Sequence, residues 1–338
     1  MHPVAYAREF AATVGPKPIT SPFGAWLLPA ASGIYGEDVR HLAGQLLTSA
    51  PEPVATALAY WGLLPAHVIP AYAATGPIPP QAVADEWTRE KTLGMIDRFP
   101  GDVTGTVSVI ASAIACTLDW TVPLDKVGSD LLGGEFGARL SSAMTTTATH
   151  DVRIYRTRTA GLACAVRMAD SRGVNVTSVL AAPDVSAADT QQAARNIVNG
   201  SAEHIRLDRL PSGSHNAFDV KIVTGIKDSV TAILPAWEAT SSFDVGAAPG
   251  MTDLANALGG NVRVLQSAYA KFGRTGFKAA AATAMLMRGA AMPSTVRAVT
   301  ARYNRPYAVV ASAVDANTAW RGIPIFEAWV TAPTEVTD

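Results

Sequence analysis

Near Val107 the sequence changes texture, and that change limits the folds open to it. Before it, Val4 to Val14 and Ala25 to Leu47 carry apolar residues at helical spacing with few β-branched side chains. Pro79 to Ile96 reads as a helix opened by prolines, with Asp85, Glu86, Arg89, Glu90 and Lys91 on its wet side. After it come short β-favourable runs: Val107 to Cys116, Val152 to Thr157, Leu162 to Met168, Val174 to Ala181, His204 to Leu210, Val262 to Phe272 and Ala308 to Val314. Helices first and strands afterwards predict an α+β domain rather than a doubly wound parallel sheet, in which the two would alternate. No fixed-period repeat appears. The stretch Ala71 to Gln81, with Gly76, Pro77, Pro79 and Pro80, is the best boundary candidate, but a surface loop explains it equally well, so residues 1–338 are read as one domain.

Composition bears on function mainly by exclusion. The chain is 49% hydrophobic and only 16% charged, with a formal net charge of -1, so it is neither disordered nor a polyelectrolyte, and a nucleic-acid role is disfavoured. Glu9, Lys17 and three prolines between positions 16 and 22 interrupt the apolar stretches at the start, so no secretory signal is visible and the sequence by itself reads as cytoplasmic. No run of about eighteen uninterrupted apolar residues predicts a membrane span. Cys116 and Cys164 sit in alanine-rich, apolar surroundings and read as reduced core thiols rather than a disulfide or reactive pair.

The familiar catalytic templates are missing. The sequence holds no GxSxG elbow, HExxH helix, Walker loop, GxGxxG fingerprint or CxxC pair. None of the six histidines has a partner at the spacing of a helical metal site, so neither a metal nor a cofactor is expected. His215 lies beside Ser212 and Ser214, but PSGSHN is turn chemistry, and adjacent side chains rarely face one another. Glu86, Glu90 and Asp97 share helical spacing with the interleaved Arg89, Lys91 and Arg98, the pattern of a solvated face.

One segment is unlike the rest: Gly276 to Pro293, GFKAAAATAMLMRGAAMP. At a period of two, Phe277, Ala279, Ala281, Thr283, Met285 and Met287 fall on one face, and Lys278, Ala280, Ala282, Ala284, Leu286 and Arg288 on the other. An ordinary alanine-rich helix accommodates the same residues, since alanine has the best helix propensity.

Along nearly its whole length the chain resembles the serpin family, and within it a bacterial-type member. That family's loop hinge typically reads as acidic residues, glycine, threonine, glutamate and a run of alanines; here Gly276, Ala279, Ala280, Ala281, Ala282, Thr283 and Ala284 fall in the matching places. Val109 to Ile114 leading to Trp120 and Pro123 resembles the family's central-sheet strand, and Leu234 to Glu238 with Ser241 to Val245 its proline-led strand and sequel. Ser21-Pro22-Phe23-Gly24 is similar to the segment where the central sheet opens, and Arg305-Pro306-Tyr307 and Gly322 to Phe326 to the closing strands.

The resemblance implies a large central mixed β-sheet, two smaller sheets and about eight helices concentrated in the N-terminal part. It implies an exposed reactive-centre loop over about 276–293, with hinge residues Gly276, Phe277, Lys278, Ala279, Ala280, Ala281, Ala282 and Thr283 and a reactive bond between Ala290 and Ala291. Ser21, Pro22, Ser112 and Trp120 would flank the sheet opening. The implied function is suicide inhibition of a serine protease, without catalysis. The enzyme would be elastase-like or subtilisin-like from Ala290, with Arg288 leaving a trypsin-like target open. A monomer is expected, and many family members are extracellular. Three departures stand out: Phe277 in place of a small residue, Arg274, Thr275 and Lys278 in place of acidic ones, and Ser112 in place of asparagine. They keep open a second role, a serpin-fold binding or carrier protein that inhibits nothing.

Overall fold

The computed structural model describes residues 1–260, 264–276, 294–314 and 319–336. Three helices come first: α1 (Pro3–Val14), α2 (Pro22–Ala31) and α3 (Glu37–Thr48). Where the apolar spacing predicts one helix from Ala25 to Leu47, the chain instead breaks between α2 and α3, because Gly33 and Gly36 take φ of 81° and 90°, backbone that a right-handed helix cannot contain. Every residue of α2 is buried. Pro22 opens it at a position where a missing N–H costs nothing, and Ser21 caps it by accepting from the Gly24 N–H at 3.0 Å.

Next come β1 (Val54–Gly62), β2 (Ala74–Gly76), α4 (Gln81–Lys91) and β3 (Ser108–Cys116). Helix α4 stops short of the predicted Ile96, since Leu93 and Gly94 turn left-handed with φ of 56° and 76°. The middle of the chain supplies β4 (Asp125–Gly128), α5 (Gly134–Gly137), β5 (Ser142–Thr145), β6 (Asp151–Thr157), β7 (Gly161–Asp170), β8 (Val174–Leu180), α6 (Ala187–Val198) and β9 (Glu203–Ile205). The remainder adds β10 (Gly213–Ser214), β11 (Asp219–Gly225), β12 (Ser229–Leu234), β13 (Ala236–Asp244), α7 (Met251–Ala257), β14 (Leu265–Phe272), β15 (Ser294–Arg302), β16 (Tyr307–Ala313), β17 (Pro324–Val330) and β18 (Pro333–Thr334). Four of these seven α-helices precede residue 92.

The strands form four sheets. One is antiparallel throughout, in the order β17-β16-β8-β7-β6-β9, and a second is mixed, in the order β10-β11-β15-β12-β5-β4. The other two have three strands each: β2-β1-β3 and β14-β13-β18. All seven residues of β16 are buried. Alternation sends Ala308 and Val310 toward α6, and Tyr307, Val309 and Ala311 into the main core shared with α2, where Phe23 lies 4.5 Å from Trp320 between ring centroids.

Candidate functional site

The two three-stranded sheets face each other along β3 and β14, yet no ladder of hydrogen bonds joins those strands among the described residues. Among the described residues, hydrogen bonds tie them at two places.

The first is where both strands exit. Trp120 donates its backbone N–H to the Thr275 carbonyl (3.2 Å) and its indole Nε1–H to the Gly273 carbonyl (2.9 Å), and Leu124 N–H donates to the Arg274 carbonyl (2.9 Å). The indole also packs on Phe272, centroids 5.5 Å apart, which stacks in turn on Trp237. Gly276 forms an isolated bridge with Asp119. Its φ is 99°, and a Cβ there would stand 2.2 Å from the Leu118 carbonyl oxygen, so only glycine passes so close. The Asp119 segment is itself anchored. Its N–H donates to Asp170 Oδ2 at 2.7 Å, and Arg172 grips the same carboxylate at 2.6 Å while donating to the Thr117 carbonyl at 2.9 Å. Burial pushes the Asp170 carboxyl up, but Arg172 and the backbone N–H groups of Asp119 and Arg172 outweigh it and hold the group below the usual range.

The second tie is the start of α2, which holds one half-sheet in each hand. Gln266, in β14, accepts from the Ser21 N–H (3.0 Å) and donates to the Ser21 carbonyl (2.8 Å). Ser112, in β3, donates its hydroxyl to the Gly24 carbonyl (2.7 Å). Ser21 Oγ donates to the Ile325 carbonyl of β17 (2.7 Å), fixing the helix start to the sheet behind. Ser21, Pro22 and Ser112 thus meet at one point and Trp120 stands at another, the strand exits. Gln266 is the member that sequence reading missed. The signal was present: in β14 it shares the inward face with Ala268, Ala270 and Phe272, a buried polar side chain that requires partners.

Between the ties lies a cavity of about 40 Å³. Cys116, Leu118 and Trp120 border it on one side, Trp237, Ala270 and Phe272 on the other, and Val309, Ala311 and Phe326 form its floor. The segment after α4 reaches across in front, where Met95 to Pro100 face Thr240, Ser267 and Tyr269. That segment is pinned from α4: Asp85 accepts from the Phe99 N–H (3.0 Å), and Gln81 donates to the Gly101 carbonyl and accepts from the Val103 N–H.

Of the expected loop, Gly276 is described at the edge of this opening; Phe277, Lys278, Ala279, Ala280, Ala281, Ala282, Thr283, Ala290 and Ala291 lie outside the described residues. Both cysteines are buried and unbridged, and burial pushes the Cys164 thiol up to about 12. Among the described residues no group of three or more histidine, cysteine, aspartate or glutamate side chains is placed to hold a metal, and no helix is long and apolar enough to cross a membrane.

No protein-family model and no curated protein matches the sequence. Solved structures do. The chain is similar to the native state of a thermophilic serpin, tengpin, with a TM-score of 0.64 at 16% identity over 98% of this chain and 92% of that one. It is similar to Serpin48, a highly specific serpin of the insect Tenebrio molitor (TM-score 0.60, 15% identity, 98% and 96% covered). It is also similar to thyroxine-binding globulin in complex with thyroxine (TM-score 0.62, 12% identity, 98% and 96% covered).

Proposed function

Given that this chain has the serpin fold, we propose that it is a suicide inhibitor of a serine protease, working by loop cleavage and strand insertion. The observation that carries this reading is the pair of half-sheets joined by no ladder between β3 and β14 among the described residues, with a glycine at the rim leading into an alanine-rich segment. The protease attacks the bond between Ala290 and Ala291, forming an acyl-enzyme. The freed segment enters between β3 and β14, and its backbone exchanges water for ladder hydrogen bonds on both sides. Phe277, Ala279, Ala281 and Thr283 go to one face, where two alanines suit a packed slot. Deacylation is outrun when insertion is fast. The partner is a serine protease that accepts a small residue, elastase-like or subtilisin-like, with Arg288 the alternative site for a trypsin-like one. Residues 1–338 act as one domain and one monomer.

The second reading is a binding or carrier protein with the same fold. Phe277 favours it, because an oversized side chain in a packed slot costs about 1 to 3 kcal/mol. So does the fold likeness to thyroxine-binding globulin. Incubation with a panel of serine proteases separates the two. Inhibition requires an SDS-stable complex, cleavage after Ala290 read by mass spectrometry, and a large gain in heat stability on loop cleavage. Cleavage with neither complex nor gain rejects the inhibitor and leaves the carrier.

A further inference from the structure

A second concave site lies on the far side of β16 from the core, against α6. We infer that it binds a compact ligand carrying two or three adjacent phosphate groups. The cleft measures about 470 Å³, the size of a small-molecule site, and is lined by Arg8 of α1, Arg156 and Arg158 of the β6–β7 turn region, and Gln192 and Asn196 of α6, with no carboxylate in its lining. In a chain whose net charge is -1, three guanidiniums around one cleft are a local excess of positive charge. Arg8 and Arg158 have neither ion pair nor hydrogen bond among the described residues; Arg156 has only Glu203, at 3.9 Å and with both side chains more than half exposed, a pair of little energetic weight.

The amides point the same way. Arg195, buried behind the cleft and paired with Glu327, can only donate, so Gln192 presents its oxygen to Arg195 Nη1 (3.0 Å). Gln192 then donates from Nε2 to Asn196 Oδ1 (2.9 Å), which leaves the Asn196 amide nitrogen as a donor on the cleft side. The site is therefore cationic and rich in donors, the complement of phosphate oxygens, which guanidinium forks bind in bidentate fashion. The forks are mounted on two elements, Arg8 on α1 and Arg156 with Arg158 at the end of β6, so they reach separate phosphoryl groups and a single phosphate satisfies the site poorly. Inorganic polyphosphate and nucleotides share this chemistry.

Calorimetric titration of the full chain at low ionic strength with tripolyphosphate, ATP and inorganic phosphate tests the inference. Tripolyphosphate or ATP should bind at least about tenfold tighter than inorganic phosphate, and the double variant Arg8→Ala, Arg158→Ala should lose at least about tenfold in affinity, with its ligand-free melting temperature unchanged. Arg153→Ala, an arginine outside the cleft that pairs with Asp151, should bind like the parent. Equal binding of mono- and triphosphate, an equal loss in Arg153→Ala, or undiminished binding by the double variant would overturn the site.

Discussion

At the residue scale, single polar side chains decide how firmly the opening is shut. Gln266 is 8% exposed and makes two reciprocal hydrogen bonds to the Ser21 backbone, linking β14 to the start of α2. Gln266→Leu keeps the volume but orphans a buried N–H and a buried carbonyl, and we expect it to destabilise the intact fold by about 1 to 3 kcal/mol. The midpoint of urea unfolding measures this, and an unchanged midpoint would show that β14 is held by packing alone. Asp170 controls the other tie. Its side chain is fully buried and its carboxyl is held below the ordinary value, so the folded state favours the ionised form. That stability is present above the unfolded value, near pH 4, and disappears as pH falls through the lower folded value. Melting followed across that range should show Asp170→Asn less stable than the parent at neutral pH, with the gap closing toward acid. A gap independent of pH would mean that shape rather than charge is what Asp170 contributes.

At the element scale, the link between the α6 side and the sheet opening is a buried ion pair. Arg195 of α6 meets Glu327 of β17 at 2.9 Å with both side chains under 10% exposed, and the backbone of Glu327 exchanges hydrogen bonds with Thr20, the residue before the Ser21 cap. Removing one partner strands a buried charge, so Glu327→Leu should cost about 3 to 5 kcal/mol, while the double change Arg195→Met, Glu327→Leu should recover most of that loss. A double-mutant cycle by chemical denaturation checks it, and additive losses would sink the claim. How far such elements are legible in the sequence varies with their surroundings. Strands β3, β6, β7, β8, β14 and β16 stand out because β-branched or aromatic residues and flanking turns mark them. Strand β1 does not, although it pairs with β3 over nine residues, since alanines dilute its alternation. Helix α6 hides behind polar letters, its packing face built from Thr190, Ala193, Ala194 and Ile197. The predicted strand from His204 to Leu210 shrinks to Glu203–Ile205 followed by a single 3₁₀ turn. In the site, Ser21 and Trp120 were readable by their resemblance to a known pattern; Gln266 was readable only by asking what a polar side chain does on an inward face.

At the scale of the whole molecule, the arrangement poses one question, whether the opening between β3 and β14 receives the segment that starts at Gly276. Insertion has a parity that no other use of the loop requires. In a strand with a neighbour on each side, alternate residues enter opposite faces, so Ala279 would point toward the layer of Val309, Ala311 and Phe326 or away from it, and Ala280 would take the opposite direction. If the face that carries Phe277 is the inner one, Ala279→Arg places an unpaired charge against that apolar floor in the inserted state alone. The intact protein should then melt as the parent does, cleavage should bring no gain in heat stability, and the protease should turn the variant over as a substrate. Ala280→Arg, pointing to the solvated face, should still trap the enzyme. The pair must differ for the mechanism to stand. Trapping by both variants would place the loop outside the sheet throughout, failure of both with the loop still cleaved would show that the two faces are not distinguished and reject the parity, and the reverse preference would assign Lys278 and Ala280 to the inner face, which a lysine there makes physically costly.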